Sequence, residues 1–94
     1  MRAIHPGEIL KEEYLVPLEM SANALAIALH VPAPRIYDII REKRAITPDT
    51  ALRLSRYFGG DAQSWLNLQT SYDLKVAQTS LSEIEATIRP LHAA

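Results

Sequence analysis

The chain has 94 residues, no cysteine, 48% apolar and 22% charged side chains, and a formal charge of −1. That length predicts one domain, and the missing thiols exclude disulfide frames, thiolate zinc sites, iron–sulfur clusters and cysteine nucleophiles. No apolar run reaches membrane-spanning length and no secretory h-region is visible, so a cytoplasmic address is expected.

Charge is distributed unevenly. Residues 33–56 carry six basic and three acidic side chains, a local +3, while residues 1–32 and 57–94 each come to −2. A basic middle between acidic ends is consistent with one polyanion-binding face, though on charge alone an ordinary mixed surface accounts for it at least as well.

The pattern is helical throughout, with no period-2 alternation and no Asn-Gly or Asp-Gly hairpin signal. Pro6 suits a helix start, and Ile9, Leu10 and Tyr14 form a first apolar stripe that Pro17 stops. Ser21 is a good N-cap for a second helix bearing Leu25, Ala26 and Leu29. After His30-Val31-Pro32 a third helix runs to about Arg41 and buries Ile36, Ile39 and Ile40. Thr47-Pro48-Asp49 combines an N-cap, a proline at the first helical position and a carboxylate on the helix dipole. That fourth helix carries Ala51, Leu54, Tyr57 and Phe58 and ends at Gly59-Gly60. Asp61 caps a longer fifth helix with Trp65, Leu66, Leu68, Tyr72 and Val76. Ser80 and Glu83 match a capping box for a sixth, with Leu81, Ile84 and Ile88 before Pro90. The expectation is an all-α single domain with a C-terminal helical extension.

Residues 21–44 hold the informative pattern: two helices of about nine residues separated by a turn of three or four, which favours a sharply angled pair over a plain helical hairpin. Ala26 is small where the second helix would cross, and Ile36 and Ile39 supply branched packing. His30 stands at the chain reversal, where positive φ is expected; His is among the non-glycine types enriched there. With the isoleucines inward, the outward residues are Ala33, Pro34, Tyr37, Asp38 and Arg41, with Arg35 at the flank. Ala33 and Pro34 suit thymine methyls or sugars, and Tyr37 suits these or a phosphate. Arg35 and Arg41 suit bidentate contact with guanine; Asp38 suits a cytosine amino group or the orientation of a neighbouring arginine. Lys43 and Arg44 suit phosphates, as do the amides at the helix starts marked by Ser21 and Thr47. The plainer alternatives are that Arg35 pairs with an acid of the first helix, Tyr37 packs on Pro34, and Ser21 and Thr47 only cap.

Other chemistry is thin. His5, His30 and His92 have no ligand spacing, Glu12 and Glu13 are adjacent and diverge, and Gly7, Gly59 and Gly60 form no phosphate loop. No metal, cofactor or catalytic constellation is expected. The aromatic, apolar segment from Trp65 to Leu74 is either the central core helix or partly buried against a second copy.

His5-Pro6-Gly7-Glu8-Ile9-Leu10, Ser21 to Arg44, Thr47 to Leu54, Trp65 to Gln69 and Tyr72-Asp73-Leu74 occur in one unbroken order over residues 4–78. On these residues the chain resembles the HigA (VapI) antitoxins of the Cro/cI-like (XRE) helix-turn-helix superfamily. The resemblance implies a compact five-helix, lambda-repressor-like DNA-binding domain over residues 1–78, with its motif at about 21–41, and an extension over 79–94. It implies dimerisation through helix 61–78, with Trp65, Leu66, Leu68 and Tyr72 as candidates. It also implies base contacts at Ala33, Pro34 and Asp38 and backbone contacts near Ala22, Arg41, Lys43 and Arg44. The family usually has glycine where His30 stands and commonly where Glu42 stands.

The function expected is a dimeric, sequence-specific repressor that binds a palindromic operator, half-sites about 34 Å apart, and neutralises a HigB-like (RelE-type) RNase toxin. The alternative, from another class, is a protein-interaction module that keeps the fold with weak or lost DNA binding.

Overall fold

The computed structural model describes residues 2–92; Met1, Ala93 and Ala94, the outermost residues of the 1–78 and 79–94 divisions, lie outside the described residues. The elements are α1 (Pro6–Ile9), a π-helical segment (Leu10–Leu15), α2 (Ala22–Leu29), α3 (Ala33–Ile40), α4 (Pro48–Phe58), α5 (Ala62–Ala77), a 3-10 turn (Gln78–Ser80) and α6 (Leu81–Thr87). No strand occurs among the described residues. None of the helices is long and apolar enough to cross a membrane.

The helix starts follow local chemistry. His5 Nδ1 accepts from the Gly7 amide at 2.8 Å, Ser21 Oγ from Ala24 at 3.0 Å, Thr47 Oγ1 from Thr50 at 3.4 Å and Asp61 Oδ1 from Ser64 at 2.7 Å. Each occupies a donor that the first helical turn leaves unpaired. The first helix departs from the expected α winding after Ile9. In α winding, residues five apart point about 140° from each other; the wider π winding turns Leu10 and Leu15 into the same core. The Val16 amide accordingly bonds to Lys11, five residues back, at 2.9 Å.

The core joins Leu10 and Leu15 to Leu25, Ala26 and Leu29 of α2, Ile36 and Ile39 of α3, Ala51 and Leu54 of α4, and Trp65 of α5. Ile40 is only half-buried, at the rim. Gly7 brings α1 against the end of α3: a Cβ there would stand 1.9 Å from the Ile39 carbonyl oxygen. The buried amide of Gln69 ties α5 to the loop after α3, accepting from the Ile46 amide at 2.8 Å and donating to Asp73 at 2.9 Å.

Two further sequence expectations need correction. Tyr57, expected inside, is 48% exposed and lies edge-on to Phe58, which holds the inner place against Tyr14. Ser80 does not form a capping box. Its backbone (φ −97°, ψ 6°) is not extended and its side chain makes no cap bond, because α5 passes through the 3-10 turn into α6 without leaving helical winding. Every residue of α6 is exposed. The α5–α6 arm stretches the molecule to 53 Å against 22 and 21 Å in the other directions.

Candidate nucleic-acid interface

The angled pair α2–α3 is made by backbone geometry at its two ends. His30 adopts φ 58°, ψ 46°, and the His30 and Val31 amides turn back to the carbonyls of Ile27 (3.1 Å) and Ala26 (3.0 Å). The same reversal follows α3: Glu42 has φ 63°, and the Glu42 and Lys43 amides bond to Ile39 (2.9 Å) and Asp38 (2.8 Å). These Schellman-type closures normally use glycine. Ala26, 1% exposed, is the small residue at the crossing, and Ile36 and Ile39 are fully buried. A third non-glycine positive φ, at Glu19 (52°), ends the turn before α2 and was not legible in the sequence.

With the isoleucines inside, α3 presents Pro34, Tyr37 and, just past its end, Arg41 to solvent. Ala33 is half-buried and packs against the core, so less of it is available than expected. The Arg41 guanidinium lies 5.7 Å above the Tyr37 ring, and its Nε donates to the Tyr37 carbonyl at 3.3 Å. Asp38 stands between two arginines, 3.6 Å from Arg41 and 3.5 Å from Arg44. Of its two expected roles, orientation of arginine is the one the geometry displays. Lys43 is exposed and has no ion pair among the described residues.

Both flanking helix starts adjoin this face. Arg35, Arg44, Ala45, Thr47 and Thr50 line a shallow recess of about 310 Å³ at the N-terminus of α4. Ser21 and Ala22 share another recess with Ile40 of α3. Ala22 is buried, so its contribution outward is its backbone, whereas Ser21 and Thr47 are exposed caps. The expected residues are therefore assembled around α3, with one change of partner. Arg35 pairs not with an acid of the first helix but with Asp49 on α4, at 2.6 Å.

That pair belongs to a network that sequence reasoning missed. Asp49 Oδ2 also accepts from Arg53 Nε at 3.0 Å, and Arg53 Nη1 donates to the carbonyls of Leu29 (2.8 Å) and His30 (3.4 Å). Hydrogen bonds from Arg35 first, and then Arg53, hold the Asp49 carboxyl below its usual range. The four-residue spacing of Asp49 and Arg53 was the only signal in the sequence. On α5, Trp65 is 5% exposed and packs near Tyr14, while Tyr72 is half-buried with its ring 4.8 Å from His5. Leu66 is half-buried against the core, and Leu68 is 37% exposed.

A helix-turn-helix family model matches residues 10–65. Virulence-associated protein I of Dichelobacter nodosus is 66% identical over 88 residues, which cover 94% of this chain and 82% of the relative. Among solved structures, the Pseudomonas aeruginosa antitoxin HigA with the higBA promoter is 50% identical, with a TM-score of 0.93 over 97% of this chain and 100% of its own. The antitoxin GraA in complex with its operator is 46% identical, with a TM-score of 0.91 over 99% and 95%. The chain belongs to the HigA, or virulence-associated protein I, family of helix-turn-helix antitoxins.

Proposed function

We infer that the chain is a cytoplasmic operator-binding repressor that also serves as the antitoxin of a two-gene module. The observation that carries this reading is the face around α3: Tyr37 and Arg41 outward, Lys43 and Arg44 behind them, and the capped starts of α2 and α4 alongside. A helix so framed suits the major groove, its side chains meeting base edges while flanking cations and amides hold phosphates. Arg41 is the candidate for guanine; Pro34, Ala33 and Tyr37 offer apolar contact to thymine methyls. Ser21, Ala22, Lys43, Arg44 and Thr47 position the backbone.

A palindromic operator requires two copies. Leu74, Ala77, Leu81 and Ile84 recur at spacings of three and four along the exposed α5–α6 arm, with Ile88 just past its end, an apolar row suited to pairing with its own image. Leu68 extends the apolar surface toward the domain. Trp65, Leu66 and Tyr72 sit closer to the chain's own core and would back such an interface more than form it. The acidic flanking segments suit a basic partner, here a RelE-type toxin.

Fluorescence anisotropy with a duplex from immediately upstream of the gene tests the reading. Binding should weaken steeply with salt, and joint Arg41→Ala and Arg44→Ala should reduce affinity at least tenfold without unfolding the chain. Unchanged affinity would discard the assigned face. Light scattering should report a dimer that Leu81→Asp with Ile84→Asp converts to monomer. Co-purification with the product of the adjacent reading frame tests the antitoxin role; purification of this chain alone would count against it.

A further inference from the structure

We propose that Asp49 is a specificity-determining residue that competes with DNA phosphates for Arg35, restraining binding to random sequence while orienting Arg35 for the operator. The inference rests on the DNA-binding reading above and concerns a residue outside the α3 face.

One carboxylate oxygen of Asp49 takes both Arg35 Nη1 and Arg53 Nε. Through Arg53 that oxygen is linked to the end of α2, and through Arg35 to the first turn of α3. The carboxylate is 54% exposed, and Arg35 also lines the recess at the start of α4 with Arg44 and Thr47. Arg35 thus lines a recess at a helix start, where a phosphate oxygen would be held, while it shares the single carboxylate of Asp49 with Arg53. A phosphate must replace Asp49 on Arg35 or lie close to the carboxylate that Arg35 and Arg53 share; either costs electrostatic free energy on any DNA. On random sequence nothing offsets that cost. On the operator the same ion pair contributes in the opposite sense, because it sets Arg35 and the start of α3 in place before contact, so less ordering remains to be done.

The charge arithmetic sets the size. Freeing one cation for phosphate steepens the salt slope by about 0.9 and strengthens random-sequence binding about fivefold near 0.15 M salt. Asp49→Asn removes the charge while leaving an oxygen for Arg53; Asp49→Glu keeps the charge. Wild type, Asp49→Asn and Asp49→Glu would be titrated from 0.05 to 0.3 M salt against two duplexes. One is the sequence upstream of the gene, the other a random sequence of the same length. The expected result is about fivefold tighter random binding by Asp49→Asn, a slope steeper by about one, little change on the operator, and wild-type behaviour from Asp49→Glu. A purely structural Asp49 would lower the melting temperature and weaken both duplexes with the random-sequence slope unmoved, which overturns the proposal. So would an unchanged operator-to-random ratio in a folded Asp49→Asn. Failure of the wild type to bind its upstream duplex would instead overturn the DNA-binding reading on which the inference stands.

Discussion

Arg53 on α4 donates from Nη1 to the Leu29 carbonyl at 2.8 Å, closing the end of α2 from a helix that begins 19 residues further on. The last carbonyls of a helix have no partner within it, and a cation at that end also meets the negative pole of the helix dipole. The turn between α2 and α3 is therefore held from outside as well as by its own amides.

Removing that hold should show in stability. Arg53→Ala is expected to cost about 1–2 kcal/mol, the range of a charged hydrogen bond reduced for partial exposure. For a domain of this size that lowers the melting temperature by roughly 4–15 °C. Arg53→Lys, which loses the forked geometry, should fall between. Thermal circular dichroism of the three proteins decides it; equal melting temperatures would mean the Leu29 carbonyl is as well served by water.

The left-handed residues give a prediction of opposite sign. An L-residue in that region costs roughly 1–2 kcal/mol, and Glu, unlike His, is not among the types enriched there. Glu42→Asn should stabilise the chain by about 0.5–1 kcal/mol, and Glu19→Asn similarly. His30→Gly should change little, since glycine's relief is offset by its greater freedom when unfolded. Urea unfolding midpoints measure all three, and destabilisation by both asparagines would refute the strain argument.

Gly7 and the Gly59-Gly60 pair should respond differently to alanine. At Gly7 the added carbon meets the Ile39 carbonyl, which is backbone and cannot swing aside, so Gly7→Ala should cost about 3 kcal/mol, the upper end of the usual overpacking range. Around Gly59 and Gly60 there is open space, and only the backbone resists, Gly59 at φ 90°, ψ −178° and Gly60 at φ 80°, so each alanine should cost about 1–3 kcal/mol. A Gly7→Ala protein as stable as the other two would mean that α1 and α3 can separate freely.

His5 predicts an acid-sensitive fold. Burial pushes its imidazole below the ordinary value near 6.5, against the opposing pull of Glu42, Asp73 and the Arg44 backbone. Nδ1 must also stay unprotonated to accept from the Gly7 amide. The neutral ring is thus the folded form. Its stability contribution is complete above about pH 6.5 and is lost as pH falls through the lowered folded-state value. Unfolding free energy should decline between pH 7 and 5, and His5→Asn, which caps without titrating in this range, should flatten that decline. Asp49, Glu8 and Asp61, all held low by hydrogen bonds, act only at more acid pH. Parallel pH curves for wild type and His5→Asn would remove His5 from the account.

Residue order alone specified the helix starts at Pro6, Ser21, Thr47 and Asp61, the small residue at the α2–α3 crossing, the reversal at His30 and the inward Ile36 and Ile39. These depend on interactions within about five residues, where the spacing of side chains along the chain is also their spacing in the structure. The family resemblance rests on the same local features. Packing of distant segments settled the rest: Arg35 chose Asp49, 14 residues away, over the first helix, and Gln69 reached Ile46 across 23. Phe58 took the inner place that Tyr57 had equal claim to by spacing, and Leu10 and Leu15 share one core only because the first helix winds wide. Such choices turn on which helix lies across from which, and that follows from burying all the apolar faces at once.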